Sequence, residues 1–412
     1  MDVGDSQPHI NSMLTEAQEA RWSACAAATT TGGVGVTRLA LTNFRNYREA
    51  RLVLDTGPIV LTGPNGAGKT NLLEAVSFLA PGRGLRGSKL TEIDWRPADQ
   101  GPPAALTQGW AVAATVVTRG SEIRIGTGRD PAEGDRRIVR INGEPVRGQA
   151  TLGEQLAVVW LTPQMDRLFV EGPGGRRRFL DRLVLALDPA HAARVGAYEQ
   201  ALRERARLLR NGPADPGWLA ALEEVMAAQG IAVAAARSDA VARLDRACAE
   251  IEGPFPQARL RLFGAVEMWL EEMPALASEA KFATALADAR PIDAASGGAA
   301  IGPHRSDLSV SLAQNGAPAE SASTGEQKAL LISMLLAYAR LQHHLRGEPP
   351  LMLLDEVAAH LDARRRSALF EALSGIESQA WLTGTDKEVF APLHSRAQFL
   401  SVRDGAVTST FT

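Results

Sequence analysis

Pro58-Ile-Val-Leu-Thr62 runs directly into Gly63-Pro-Asn-Gly-Ala-Gly-Lys-Thr70, and the segment from Asn71 to Leu79 follows. In that segment Leu72, Leu73, Ala75, Val76 and Leu79 are spaced as one apolar helical face. An apolar strand, a glycine-rich loop and a helix are the surroundings in which such a loop cradles phosphate. Gly63, Gly66 and Gly68 let backbone N–H groups converge on phosphate oxygens, with Pro64, Asn65 and Ala67 completing the loop. The helix N-terminus adds a favourable dipole. Lys69 is placed to neutralise the β- and γ-phosphates, and Thr70 can ligate magnesium through its hydroxyl. The expectation is an α/β protein that takes ATP and Mg2+ at this loop.

Outward from the loop, Val36–Leu41 and Ala50–Leu54 read as short strands on its N-terminal side. On the other side lie Ala111–Val117, Glu122–Ile125 and Ile138–Ile141, with Asn142-Gly143 as a hairpin turn. Residues 1–35, rich in small and polar side chains, read as a flexible leader. From about residue 176 the pattern turns helical. Asp188-Pro189 opens a helix striped by Val195, Tyr198, Leu202, Ala206 and Leu209, and Asn211-Gly-Pro213 ends it. A second long helix carries Leu219, Leu222, Met226, Val233, Ala240, Leu244 and Ile251, with Gly230 weakening its middle. Two helices joined by a short polar link suggest an antiparallel arm. Shorter helical segments are expected after Pro254, and a strand at Asp307–Leu312. The division is a head over 36–170 and 301–412, with a helical lobe over 171–300.

The chain has 412 residues, 45% hydrophobic and 22% charged, and a formal charge of -3. This is ordinary globular composition, so a nucleic-acid surface has to be a local patch. Five of the 44 basic residues are lysines and the rest arginines. Cys25 and Cys248 lie far apart without metal-ligand spacing and read as free thiols of a reducing compartment. No secretory signal and no apolar run of membrane-crossing length stands out, which points to the cytoplasm.

Two further segments bear on chemistry. Leu351-Met-Leu-Leu-Asp355-Glu356 is an apolar strand opening onto two carboxylates. Downstream of a phosphate loop, Asp355 suits the magnesium shell, and Glu356 suits orienting or deprotonating an attacking water. Alone, such a strand is equally compatible with a structural role. Ser323-Thr-Gly325-Glu-Gln-Lys328 precedes the apolar helix Ala329–Leu341. It reads either as a plain N-cap or as an anion site at a helix N-terminus. Just before the Asp-Glu strand it takes the position of an ABC signature, which binds the γ-phosphate held by another head. One phosphate loop and one signature per chain then imply a homodimer with two composite sites.

With these pieces together the sequence resembles the RecF family, DNA replication and repair proteins among the SMC-like ABC ATPases. The resemblance runs from Val36 to the end. It is carried by Leu41-Thr-Asn-Phe-Arg-Asn-Tyr47, Thr70-Asn-Leu-Leu-Glu74, Thr162-Pro-Gln-Met-Asp166 and Gly172-Pro-Gly-Gly-Arg-Arg-Arg-Phe-Leu-Asp181. Gly302-Pro-His-Arg-Ser-Asp307 and Leu354-Asp-Glu-Val-Ala-Ala-His-Leu-Asp362 add to it. The resemblance implies an ABC-type P-loop ATPase head with an inserted helical lobe. It also implies an ATP-dependent dimer that binds double-stranded DNA and gap junctions, works with RecR and RecO to place RecA, and hydrolyses ATP slowly. By the same resemblance Gln164 falls at the Q-loop, Asp362 at the D-loop, and Ser323 with Gly325 in the signature. Thr383 stands where ABC ATPases carry a switch histidine, which suggests weak hydrolysis. His360 reads as structural, and Glu74 as surface or structural.

Candidate DNA contacts are Arg176, Arg177 and Arg178, and Arg203, Arg205, Arg207 and Arg210 on the first arm helix. On the arm helix, solvated faces or ion pairs with Glu199, Glu204, Glu223 and Glu224 are the favoured reading. Aromatic residues do not interleave with the basic runs, so duplex binding fits better than base stacking. A transporter-type ATPase subunit is the alternative; the missing switch histidine, the helical arm and Phe44-Arg-Asn-Tyr47 argue against it.

Overall fold

The computed structural model describes residues 33–95, 109–118, 121–212 and 215–409. Residues 1–32, with Cys25, lie outside them. In chain order the strands begin with β1 (Gly35–Phe44), β2 (Tyr47–Val53), β3 (Ile59–Thr62), β4 (Trp110–Thr118), β5 (Ser121–Arg129), β6 (Arg137–Ile141) and β7 (Glu144–Pro145). They continue with β8 (Val158–Leu161), β9 (Ala258–Phe263), β10 (Asp307–Leu312), β11 (Leu351–Leu354), β12 (Ala380–Gly384), β13 (Gln398–Arg403) and β14 (Ala406–Ser409). The helices are α1 (Lys69–Ser77), α2 (Ala150–Gln155), α3 (Pro173–Leu187), α4 (His191–Arg210) and α5 (Pro216–Ala249). After them come α6 (Ala265–Glu272), α7 (Ala275–Asp288), α8 (Arg290–Ser296), α9 (Thr324–Arg346) and α10 (Ala363–Gly375).

The chain forms two compact units, residues 1–163 with 342–412, and residues 164–341. The sequence-based boundaries fall at 170 and 300 instead, so 164–170 and 301–341 group here with the helices.

The first unit holds two six-stranded sheets. One is antiparallel, in the order β2-β1-β4-β5-β6-β7. The other has the order β14-β13-β3-β12-β11-β8, with parallel pairing throughout except between β13 and β14. Strands β8 and β11 are continuous apolar runs, and β3 and β12 are apolar up to the threonine near their C-terminal ends, the pattern of a parallel sheet covered on both faces. The two sheets are joined through Gln379, fully buried at the start of β12. Its amide nitrogen donates to the carbonyls of Val36 and Asp55, and its oxygen accepts from the Val36 N–H. Val34 bridges Ser378, so the last residues of the stretch read as leader belong to the fold. Asn142 and Gly143, both at positive φ, close the β6–β7 hairpin as their sequence requires.

In the second unit α4 and α5 pack together with α6 and α7 around Tyr198, Met226, Ile231, Val266, Phe282 and Leu286. Gly230 is a packing site here rather than a weak point. A Cβ added there would lie 2.7 Å from Phe282 Cε1 and 3.1 Å from Tyr198 Cε2. Residues 258–263, expected to be helical, form β9, the antiparallel partner of β10. Arg259 and Arg261 alternate with the buried Ala258 and Leu260, and that period of two decides for strand. Helix α5 is long and apolar enough to cross a bilayer, which the sequence reading had not singled out. Half of its most apolar window is buried, and it carries Glu223 and Arg237, both buried in ion pairs within the unit.

Candidate functional site

Strand β3 delivers the glycine loop at its C-terminal end, and α1 begins at Lys69. Two glycines are required by geometry. At Gly63 (φ 152°) an added Cβ would sit 2.1 Å from the Val402 carbonyl oxygen. At Gly68 (φ 117°) it would meet Asn46 Nδ2 at 2.5 Å and the Tyr47 hydroxyl at 2.6 Å. Gly68 is the N-cap of α1 and brings no side-chain cap, which leaves the first helical N–H groups facing the loop. Lys69 folds back over the loop and donates to the carbonyls of Gly63 (2.8 Å) and Pro64 (2.9 Å). Burial pulls its ammonium below the usual lysine pKa, and the charges of Glu356 and Asp355 oppose that shift.

Strand β12 lies between β3 and β11, so three strand ends converge at this edge. Asp355 follows β11 and is buried. Both its carboxylate oxygens lie within hydrogen-bond reach of the Thr70 hydroxyl, at 3.0 and 3.1 Å. From β12, the Thr383 hydroxyl donates to Asp355 Oδ1 (2.7 Å) and accepts the Glu356 N–H (2.9 Å). Glu356 is half-buried and left-handed, with φ 52°. Lys69, Thr70, Asp355 and Glu356, all read as functional in the sequence, therefore meet at one sheet edge.

The loop is braced from the β1–β2 turn by Arg45, Asn46 and Tyr47. Tyr47 donates to the Gly68 carbonyl (3.1 Å), and Asn46 donates to the Ala67 carbonyl (3.0 Å) while accepting from Asn71 (2.7 Å). Arg45 takes both oxygens of Glu74, and Arg86 adds a third contact at 2.9 Å. Glu74 is fully buried and joins the turn to α1, a tie the sequence reading underrated. The available signal was a carboxylate one turn after Thr70 on the face where Leu73 and Ser77 are also buried.

Residues 35–408 match the sequence model of the family described as RecF/RecN/SMC N terminal domain. The DNA replication and repair protein RecF of Rhizobium rhizogenes is 47% identical over 380 residues, spanning 92% of this chain and 99% of that protein. RecF of Agrobacterium fabrum is 46% identical over 388 residues, spanning 92% of this chain and all of that protein. The chain belongs to the RecF family. In fold it is similar to the solved recombination mediator protein RecF-ATPrS of the RecFOR pathway, with a TM-score of 0.80 at 22% identity over 92% of this chain and 99% of that one. RecF-ATP of the same pathway gives 0.78 at 23% identity, covering 92% and 98%.

Of the other positions singled out by the resemblance, Asp362 caps α10 in the first unit, its side chain accepting from the Arg365 N–H, while Gln164, Ser323 and Gly325 lie in the second. Gln164 is exposed in the short helical turn Pro163–Arg167. Ser323 and Gly325 are exposed at the start of α9, where a capping box forms. The Ser323 N–H and hydroxyl both donate to Glu326 Oε2, at 3.0 and 2.8 Å, and the Glu326 N–H donates to the Ser323 hydroxyl at 3.3 Å. One turn on, the buried Lys328 reaches Asp166 at 3.3 Å, tying α9 to the Gln164 turn.

The arginine candidates divide sharply. Arg176 grips Asp307 through two hydrogen bonds of 2.7 and 2.8 Å and caps three carbonyls of the 168–171 turn. Arg177 donates to the Ser306 carbonyl. Arg205 is buried between Glu223 and Asp293, and so is structural. Arg203 pairs with Glu199 along the helix. Arg178, Arg207 and Arg210 remain exposed.

Proposed function

We propose that this RecF-family chain is an ATP-dependent DNA-binding protein of recombinational repair and replication restart. The observation that supports it most directly is the meeting of Lys69, Thr70, Asp355 and Glu356 where β3, β12 and β11 end. On this reading the loop N–H groups and Lys69 hold the β- and γ-phosphates of ATP, Lys69 exchanging carbonyl partners for phosphate oxygens. Thr70 and Asp355 are hard oxygen donors, close enough together to share one small cation. Among the described residues no cluster of three His, Cys, Asp or Glu side chains is placed to hold a metal. Magnesium needs no such cluster, because it keeps phosphate and water ligands. Bound there, Mg2+ would offset phosphate charge, while Glu356 would orient the attacking water.

The exposed Ser323-Thr-Gly325 start of α9 would meet the γ-phosphate held by a second copy, closing an ATP-dependent homodimer. The dimer would bind double-stranded DNA and gap junctions in the cytoplasm and act with RecR and RecO to place RecA. Slow hydrolysis would then reset it. The RecFOR pathway named for the similar solved structures supports those partners. The test is sizing chromatography with and without ATP, joined to binding of duplex, single-stranded and gapped DNA across a salt series. ATP should raise mass and duplex affinity together. Mass and affinity both unchanged in saturating ATP would overturn the reading.

A further inference from the structure

We propose that the Thr383 hydroxyl is a positioning group for ATP hydrolysis, fixing the Glu356 backbone and the Asp355 carboxylate relative to one another without contacting the transferred phosphate. The inference rests on the reading of Glu356 as the residue that orients the attacking water.

Three observations carry it. Thr383 is 1% exposed at the end of β12, so water cannot replace its hydroxyl. Its two hydrogen bonds have a fixed sense. The Glu356 N–H can only donate, so the Thr383 oxygen accepts it, and the single hydroxyl proton goes to Asp355 Oδ1 at 2.7 Å. Having given that proton away, Thr383 has none left to donate to a phosphate oxygen. It would have to release Asp355 to act as a direct phosphate sensor, as a histidine in its place could without that conflict. Finally, Glu356 holds φ 52°, a left-handed conformation that non-glycine residues rarely adopt. Such a backbone persists where its surroundings over-determine it, and the Thr383 oxygen supplies that constraint. The direction in which the Glu356 side chain leaves the backbone follows from the same φ. Losing the hydroxyl therefore frees the carboxylate that must face the water, while Lys69 and the glycine loop stay as they are.

Thr383→Val removes the hydroxyl at nearly constant volume, and Thr383→Ser keeps it. Thr383→Val should lower kcat for ATP at least about tenfold, the scale of a misplaced catalytic group. The affinity for ATP should change by no more than about twofold, because Thr70 still reaches both Asp355 oxygens and Lys69 with the glycine loop is untouched. Thr383→Ser should restore turnover, and amide exchange at Glu356 should quicken in the valine variant alone. Should Thr383→Val not fold, Thr383→Ala removes the same hydroxyl and carries the same comparison. Wild-type turnover in the valine or alanine variant would overturn the inference and leave the proposed function standing. So would a loss of ATP affinity as large as the loss of turnover, which is the mark of a group that holds ATP or its cation rather than one that positions Glu356. Failure of Thr383→Ser to restore turnover would overturn it too. A wild-type chain that binds ATP but hydrolyses none removes the water-orienting role of Glu356 and this inference with it. One that binds no ATP brings down the proposed function itself.

Discussion

Arg45 and Glu74 are joined by two hydrogen bonds of 2.8 and 2.7 Å, at a carboxylate with no solvent exposure. Neither oxygen of Glu74 has water to fall back on, and Arg86 contacts only one of them. Arg45→Ala should therefore leave a partly compensated buried charge and cost about 3 kcal/mol. Urea unfolding measures this. A midpoint within error of wild type would contradict it. Arg45→Lys should recover only part of the loss, since an ammonium cannot span both oxygens.

Lys69→Met separates binding from folding. In this structure the ammonium donates to two backbone carbonyls, its burial disfavours the charged form, and the nearby charges of Glu356 and Asp355 oppose that. Removing it should leave the melting temperature unchanged or slightly higher. ATP affinity should fall at least about tenfold with the loss of a charge-assisted phosphate contact. Calorimetric titration with ATP checks the second expectation, and loss of ATP-induced dimer in sizing chromatography should accompany it.

Glu356→Gln keeps the size of the side chain and the backbone N–H held by Thr383. Only the ability to take a proton from water is lost. The variant should bind ATP and dimerise normally, then dissociate several-fold more slowly than wild type as hydrolysis stalls. Dissociation as fast as wild type would remove Glu356 from the catalytic role.

Ser323→Arg addresses the second copy. It breaks the capping box of α9 at a cost of about 1 kcal/mol. Ser323 belongs to the second unit and the glycine loop to the first, so ATP binding by the isolated chain should persist while the ATP dimer is lost. Loss of ATP binding itself would show that Ser323 does not act on a partner's nucleotide.

The glycine loop and the Asp355-Glu356 strand were legible because their chemistry is local. A buried strand, a turn of positive φ and a helix start leave a continuous signature in a dozen residues. Glu74 and Thr383 were harder to read, because their partners Arg45, Arg86, Asp355 and Glu356 come from other strands and turns. Pairing across a sheet with strand order β3-β12-β11 cannot be read from spacing. Strand β9 was missed for a related reason, since its partner β10 begins more than forty residues later. Arg176 looked like a surface cation for want of the distant Asp307 that holds it, whereas for Arg205 the pairing with Glu223 was among the readings the sequence favoured and only the distant Asp293 was missed.

Arg205 gives that last point a measurable form. Its guanidinium is 1% exposed and meets Glu223 at 2.8 Å and Asp293 at 2.7 Å, and it donates to the Leu286 carbonyl at 2.6 Å. Arg290 also reaches Glu223, but Asp293 has no second cation among the described ion pairs. Arg205→Met should thus destabilise the chain by about 3–5 kcal/mol, the penalty of stranding a buried charge. Two residues along α4, Arg207 is exposed. Arg207→Ala should leave stability within about 0.5 kcal/mol of wild type. If Arg207 contacts a DNA phosphate, its loss should lower the salt slope of duplex binding by about 1. Thermal unfolding of both variants beside a salt titration of the second separates the two roles. Equal stability losses at 205 and 207 would mean that the buried network is not what holds α4 to α5.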